Sequence, residues 1–382
     1  IEPPTNWVAV FGGSAWEQFV NDALHRPQEG GDVRGTIDLD VQQAIAAAMG
    51  DQAGAVVLAH VPSGRVIGMV SQPAYDPNTL DADWARLTVD EATSPLLNRV
   101  TTGLYQPGGA LQTVTLSAIL ASYSNLAEEA GFVLNSDLPD AQAPVLVNGL
   151  EITCLPETPD EPLTLAEAYA YGCPVPFVRM LQDRVRPDSL WERLEILGLV
   201  SEPQINGFRT VMPPAVGRLT ASTPPAEWLE AATGQGALTV TPLHMLQVVA
   251  AIANQGNGIP LHVVDAVRPA DAEDWQPVDI PLRRPAILRA DVAEVVRLTM
   301  LQAAAQSPHV RAAQRGDRVL YGHTGISYGG PEARPYSWFL GFVDQTRGDE
   351  MSAIAAVVVL EGVADPGLAA QIAGDALAAA AD

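Results

Sequence analysis

A chain of 382 residues, 47% of them hydrophobic, is long enough to bury a large core, so we expect a folded protein built around one main domain. Its 45 acidic residues outnumber its 21 basic ones, and the formal net charge of -24 excludes a nucleic-acid-binding protein, because this charge would repel a phosphate backbone. All 21 basic residues are arginines, since the chain contains no lysine. No uninterrupted apolar run reaches the ~20 residues that would span a bilayer.

The chain begins with "IEPPTNWVAVFGG", which has no initiator methionine and lacks the basic and apolar regions of a secretory signal peptide. We therefore expect a trimmed chain whose targeting segment or membrane anchor lies outside it. A helix is predicted around "SAWEQFVNDAL", followed by the polar break "HRPQEGGD". Residues 1–34 are thus interpreted as the remnant of a preceding segment or a linker.

The main domain is predicted to begin at residue 35 with a helix and a hairpin. In "TIDLDVQQAIAAAMG", apolar residues recur at helical spacing between Asp38, a suitable N-cap, and Gly50, a typical C-terminal stop. The next stretch, "GAVVLAHVPSGRVIGMVSQP", consists of two β-rich runs around the turn residues 62–65, which indicates a β-hairpin.

The end of the chain is predicted to form three strands, "RVLYGHTGIS", "YSWFLGFVDQ" and "MSAIAAVVVLEG", with turns at residues 329–331 and 347–349, and then an amphipathic helix. The last strand is continuously apolar, so we expect it at the centre of a sheet. Residues 95–301 are predicted to be mostly helical. The pattern predicts an α+β fold: one antiparallel sheet from both chain ends, terminal helices on one face, and an all-helical subdomain on the other.

Cys154 and Cys173 are the two cysteines, and neither belongs to a C-x-x-C pair or to another metal-ligand spacing. The histidines show no metal-ligand spacing either, so no metal site and no cofactor is expected. The cysteine pair is compatible with a disulfide in an oxidising compartment or with two buried thiols.

Seven stretches together resemble the transpeptidase domain of penicillin-binding proteins of the class B type. The resemblance implies the fold shared by penicillin-binding proteins and serine β-lactamases, with residues 35–382 as the transpeptidase-like domain, and a role in peptidoglycan synthesis. The stretches occur in the family's order: "TIDLDVQQAI", "GAVVLAHVPSGRVIGMVSQPAYDPN", "PLLNRVTTGLYQPGGALQT", "LTLAEAYAYGCPVPF", "TGQGALTVTPLHMLQVVAAIANQG", and "GHTGISYG" with "YSWFLGFV".

In that family three motifs meet in one cleft: a serine with a lysine three residues later, a Ser-x-Asn, and a Lys-Thr-Gly on a strand. Serine and lysine three residues apart share a helix face, so the amine can accept the hydroxyl proton. The second lysine supplies positive charge for a substrate carboxylate. In this chain the three motifs fall on Gly109 and Gln112, on Gly172-Cys173-Pro174, and on His323-Thr324-Gly325.

These replacements predict that the domain has lost catalysis. Glycine at position 109 has no hydroxyl or thiol to acylate, and Gln112 has no useful basicity. Because these 382 residues contain no lysine, no other segment of them can supply the amine. His323 is interpreted either as a strand histidine bonded to its neighbours or as a weak carboxylate-binding cation.

Alternative nucleophiles fit their sequence context less well. Ser327 lies in "GISYG", which matches G-x-S-x-G, but that elbow requires a following helix, and here a turn and another strand follow. Cys173 lies in an apolar helical stretch, which favours a structural cysteine. The hydroxyl residues Thr113, Thr115 and Ser117 have no adjacent base and are expected to bond back to their own helix.

The sequence therefore supports three hypotheses, in this order. The first is a pseudoenzyme that acts as a scaffold or regulator by contacting cell-envelope proteins of division or elongation. The second is a module that binds a peptidoglycan stem peptide without a covalent bond, and the third is an active D,D-transpeptidase or serine hydrolase with a relocated nucleophile. By resemblance, the domain is expected outside the cytoplasm, in the periplasm or on the outer face of the cytoplasmic membrane, with contact to the membrane only through an anchor absent from this chain.

Overall fold

The computed structural model describes residues 31–206, 208–269, 272–280, 285–330, 332–345 and 352–381. The helix predicted around "SAWEQFVNDAL" and the turn predicted at residues 347–349 lie outside the described residues. The described strands are β1 (Asp32–Gly35), β2 (Gly54–Val61), β3 (Val66–Gln72), β4 (Asp137–Leu138), β5 (Val145–Val147), β6 (Leu150–Ile152), β7 (Leu163–Thr164), β8 (Val264–Arg268), β9 (Gln276–Pro277), β10 (Leu320–Gly329), β11 (Arg334–Asp344) and β12 (Ala353–Glu361).

The described α-helices follow the predicted pattern of a helical middle between two chain ends. They are α1 (Leu39–Met49), α2 (Leu80–Leu87), α3 (Gln112–Ala121), α4 (Leu126–Asn135), α5 (Leu165–Ala170), α6 (Pro174–Arg184), α7 (Pro187–Ile196), α8 (Pro225–Thr233), α9 (Pro242–Ala253), α10 (Ala290–Gln306), α11 (Pro308–Arg311) and α12 (Pro366–Ala381). None of these helices is long and apolar enough to cross a membrane.

The core sheet has five antiparallel strands in the order β10-β11-β12-β2-β3. The prediction that the last strand is central is confirmed: β12 lies in the middle, and its residues 353–360 are all buried. It pairs with β2 in a register that places Val357 opposite Val57. Continuous burial follows because helices cover both faces of this strand, so that neither set of alternating side chains meets solvent.

Terminal helices cover one face of the sheet and the helical region covers the other, as predicted. Helices α1 and α12 pack against each other and against the sheet, whereas the buried helix α9 packs on β2 and β12. Helix α1 begins and ends as its sequence predicts: Asp38 accepts hydrogen bonds from two N-terminal amides, and Gly50 ends the helix with φ 54°. The α+β fold class is therefore confirmed.

Two details differ from the prediction. Residues 32–35 form β1, which pairs with β8, so the end of segment 1–34 is part of the folded domain. The subdomain predicted to be all-helical also contains the short antiparallel pairs β4–β7 and β5–β6. Strands of two to four residues are too short to show a period of two in the sequence, which is why the prediction missed them.

Candidate active site

The loop before α3 is fixed in the position where the resemblance places the nucleophile. Gly108 has φ 50°, and its amide donates a hydrogen bond to the Gly234 carbonyl at 2.8 Å. A Cβ atom at Gly108 would lie 2.3 Å from Cβ of Ser327, so only glycine fits here. The turn at residues 234–236 therefore holds this loop, with Gly234 itself left-handed at φ 64°.

Gly109 contacts strand β10 through its backbone. A Cβ atom added to Gly109 would lie 3.1 Å from Cα of Gly325 and 3.3 Å from N of Ile326. In the reverse direction, a Cβ atom on Gly325 would lie 2.4 Å from N of Ala110. The space that a serine side chain would use at position 109 is thus narrowed by β10, and a serine would require the loop and the strand to separate by a few tenths of an ångström.

Gln112 is buried, with 6% of its surface exposed, and its Nε2 donates to the Cys173 carbonyl at 3.3 Å. Its Oε1 has no hydrogen-bond donor among the described residues. An amide neither accepts nor releases a proton near neutral pH, so this side chain joins two segments of the site without acting as a base.

At the second motif position, Leu155 in the segment after β6 occupies the space that a side chain at position 172 would use. Gly172 has φ 64°, and a Cβ atom there would lie 3.1 Å from Cγ of Leu155. The Leu155 amide donates to the Tyr171 carbonyl at 2.8 Å, which holds the segment in place. Pro174 occupies the first turn of α6, where proline is well tolerated. A serine side chain at position 172 would therefore meet both backbone strain and Leu155.

Cys173 forms a disulfide with Cys154. Its interpretation as an alternative nucleophile is therefore wrong for this structure, because the sulfur is already bonded and has no proton to lose. Of the two states left open by the sequence, the structure contains the disulfide. The bond also fastens residues 153–156 across one wall of the site.

His323 lies beneath the site. It is fully buried on β10, stacks on Tyr169 with ring centroids 4.1 Å apart, and its Nε2 donates to the Gly109 carbonyl at 3.0 Å. Burial lowers the pKa of His323 to about 4, and its backbone hydrogen bonds offset this shift only in part. Because His323 is fully buried and does not line the cleft, the structure supports its interpretation as a strand histidine bonded to its neighbours.

Residues from all three motif positions line one cleft of about 270 Å³, to which Gly109, Gln112, Gly172, Pro174 and Gly325 contribute. His323 and Thr324 do not line it, and Thr324 Oγ1 is buried without a partner among the described residues. None of the described lining residues carries a charge. The remaining ones are Gly108, Ile152, Thr153, Cys154, Leu155, Pro156, Phe177, Ala232, Thr233, Ile326, Tyr328 and Ala364.

Ser327 is held in a structural role. Its Oγ accepts a hydrogen bond from Trp338 Nε1 at 3.1 Å, and the side chain is fully buried against Gly108. His323 lies four residues away on the same extended strand, at about 13 Å, which is too far to accept its proton. Strand β10 continues to Gly329, so no elbow followed by a helix is present.

Sequence reasoning missed the wall formed by residues 152–156. These residues show no motif, and only Cys154 could have pointed to them, through a pairing with Cys173 that the sequence left open. Of the hydroxyl side chains after Gln112, Thr115 and Ser117 bond back to α3 as expected. The expectation is wrong for Thr113, which pairs with the Tyr169 hydroxyl at 2.9 Å. The described residues contain no group of acidic, histidine or cysteine side chains that could hold a metal ion.

Comparison with known proteins agrees with this architecture. Residues 54–378 match the family model of the penicillin binding protein transpeptidase domain. The chain is 29% identical to the peptidoglycan D,D-transpeptidases PbpA of Mycolicibacterium smegmatis and Mycobacterium tuberculosis, over 83% and 89% of its length and 65% and 69% of theirs. It thus spans about two thirds of these relatives.

Solved structures show the same fold. Penicillin-binding protein A of M. tuberculosis, as a penicillin G acyl-enzyme complex, superimposes with a TM-score of 0.73 at 25% identity, over 95% of this chain and 84% of that one. The D,D-transpeptidase domain of a peptidoglycan glycosyltransferase from Eggerthella lenta has a TM-score of 0.78 at 22% identity, over 99% and 91% of the two chains. The family match over most of the chain means that this protein belongs to the penicillin-binding protein transpeptidase domain family.

Proposed function

We propose that this domain takes part in peptidoglycan synthesis as a non-catalytic member of its family, acting as a scaffold or regulator for cell-envelope proteins. The observation that carries the proposal is the backbone contact between Gly109 and Gly325, which narrows the space for a nucleophilic side chain. Acyl transfer requires a nucleophile and a base, and here the corresponding positions are a glycine and an amide.

The absence of charged side chains among the described residues of the cleft argues against a stem peptide as its ligand. A peptide that ends in a free carboxylate needs a cation or several donors, whereas the described lining residues are all uncharged and His323 is neutral. The net charge of -24 adds a general repulsion of anions. Contact with partner proteins therefore explains the retained fold better than peptide binding does.

A location outside the cytoplasm belongs to the same proposal. The relatives are named as enzymes of peptidoglycan, which lies beyond the cytoplasmic membrane, and the Cys154–Cys173 disulfide suits an oxidising compartment. In this proposal an N-terminal anchor outside these residues holds the domain at the membrane surface.

Labelling with a fluorescent penicillin, followed by intact-mass spectrometry, tests the loss of catalysis. We expect no mass shift at high reagent excess, whereas M. tuberculosis penicillin-binding protein A, which forms an acyl-enzyme with penicillin G, serves as the positive control. Gly109→Ser is expected to remain unlabelled as well, because no amine activates the new hydroxyl. A stoichiometric adduct on the natural chain would overturn the proposal, and peptide mapping would identify the nucleophile.

A cleft-blocking variant separates the scaffold role from ligand binding. Ile326 lines the cleft and is only partly buried, so Ile326→Trp should fill the cleft while the fold is retained, which a melting curve checks. If the protein acts as a scaffold, we expect the Ile326→Trp variant to restore wall growth in a strain that lacks the protein. Failure of a folded Ile326→Trp variant to restore growth would favour a ligand in the cleft.

A further inference from the structure

A second pocket, of about 250 Å³, lies where the C-terminal ends of α3 and α6 meet one side of α7, and it shares no lining residue with the cleft. Arg184, Arg186 and Arg193 line it, together with Ser189 and a single carboxylate, that of Glu192. We refer to it as the arginine pocket.

Two of these arginines have no carboxylate within ion-pair distance among the described residues. Arg184 stacks on the ring of Tyr123, 5.0 Å from its centroid, and Arg193 donates one long hydrogen bond, of 3.4 Å, to the Ile287 carbonyl. Arg186 is paired with Asp188. The arginine pocket therefore keeps donors and positive charge that the protein itself does not neutralise.

A fourth arginine, Arg289, lies beside the pocket and is paired with the Asp291 carboxylate. Arg289 donates to the carbonyls of Ala121 and Tyr123, both at 3.3 Å, and so satisfies the exposed carbonyl end of α3 that would otherwise repel an anion. Burial lowers the pKa of Arg193, and the charge of Arg289 lowers it further, although a guanidinium stays protonated at neutral pH. A bound anion would relieve this repulsion.

The geometry points to a phosphate group as the ligand: we propose that the arginine pocket binds a soluble phosphate ester. Guanidinium groups bind oxyanions through paired N–H donors. Arg184 and Arg193 have no carboxylate partner among the described residues, and Arg186 binds Asp188 through Nε and Nη2 only, which leaves its Nη1 donors. Donors from three directions suit the three terminal oxygens of a phosphate ester better than the two oxygens of a carboxylate. The start of α7 adds the partial positive charge of a helix N-terminus beside Ser189. A soluble ester is favoured over a lipid headgroup, because the net charge of -24 opposes approach to an anionic membrane.

Calorimetric titration with glycerol 3-phosphate tests this proposal, with acetate and chloride at the same ionic strength as comparison anions. We expect saturable binding of the phosphate ester only. Arg193→Gln and Arg184→Gln should each weaken it about tenfold or more, since each removes a charge-assisted hydrogen bond. Arg218→Gln, at an exposed arginine outside the pocket, is the matched control and should change the affinity less than twofold.

Melting curves in phosphate-free buffer show first that each variant is folded. If one of the two arginine variants does not fold, the other still tests the proposal. The proposal would be overturned if acetate or chloride bound with the same affinity as glycerol 3-phosphate. It would also be overturned if both pocket variants bound glycerol 3-phosphate with the affinity of the natural chain. Sedimentation with vesicles of phosphatidylglycerol and phosphatidylcholine distinguishes the source: no sedimentation supports a soluble ester, whereas sedimentation lost in Arg193→Gln would overturn that choice in favour of a headgroup.

Discussion

Gly109 and Gly325 touch backbone to backbone: a Cβ atom on Gly325 would lie 2.9 Å from Cα of Gly109. One of these glycines stands at the nucleophile position and the other on the strand that forms the opposite wall. Position 109 therefore has no side chain, and the two walls of the cleft also approach each other closely at this point.

Gly325→Ala is expected to destabilise the fold by about 1–3 kcal/mol, because its Cβ atom would overlap rigid backbone atoms of the loop before α3. Gly131→Ala is the matched control: Gly131 lies in α4 with nothing near its Cβ position, so alanine should stabilise that helix by up to about 1 kcal/mol. Urea unfolding measures both changes. If Gly325→Ala leaves the free energy of unfolding unchanged, the two walls separate easily.

Stability should fall as the pH drops from about 6.5 to 4. Burial lowers the pKa values of His323 and His244 to about 4, below the ordinary value of 6.5, so the folded state holds both in the neutral form. The stabilisation that comes from keeping these two histidines neutral is complete above pH 6.5 and is lost as the pH falls towards 4. It amounts to at most about 3 kcal/mol of unfolding free energy for each histidine. Urea unfolding at several pH values measures the slope of the unfolding free energy against pH.

The variant His323→Gln should flatten that slope, because glutamine keeps a donor for the Gly109 carbonyl and does not titrate. His309→Gln is the control, since His309 makes its one described hydrogen bond, to the Pro156 carbonyl, near the surface. An unchanged slope in His323→Gln would show that other groups cause the pH dependence.

The ion pair between Arg99 and Glu361 anchors the loop before the cleft to the central strand. Arg99 Nε lies 2.8 Å from Glu361 Oε1, with 4% and 12% of the side chains exposed, and the Tyr105 hydroxyl donates to the same oxygen at 2.7 Å. Glu361→Ala should cost about 3–5 kcal/mol, because it leaves a buried guanidinium unpaired.

Glu361→Gln should cost less, since the amide oxygen still accepts hydrogen bonds. Asp32→Asn, in an exposed pair with Arg268, should leave the unfolding midpoint nearly unchanged. If all three variants unfold at the same urea concentration, the buried pair does not stabilise this loop.

The Cys154–Cys173 disulfide closes a loop of 19 residues, so its removal should destabilise the domain by about 3 kcal/mol. The double variant Cys154→Ser/Cys173→Ser, compared with the oxidised chain by urea unfolding, measures this. A thiol-reactive probe with mass spectrometry should add nothing to the native chain and two groups after reduction. Two labelled thiols without reduction would contradict the disulfide.

Local pattern was sufficient for much of the fold. The continuous apolar run of β12 predicted its central place, and Asp38 with Gly50 predicted both ends of α1, because burial on two faces and helix capping depend on residues close together in the chain. The short strands β1, β4 and β7 were missed for the opposite reason, since each is specified by a distant partner and not by its own period. The local pair β5–β6, joined by Asn148-Gly149, was missed although its partner strands are neighbours in the chain.

The sequence by itself determined that these 382 residues have no lysine and no hydroxyl at Gly109, and no folding can supply a functional group that the side chains lack. Only the tertiary structure decided that Leu155 covers Gly172, that the cysteines are bridged, that His323 is neutral beneath the cleft, and that three arginines share one pocket. Each of these depends on contacts between segments far apart in the chain, and burial, pKa and pocket shape arise only when those segments pack together.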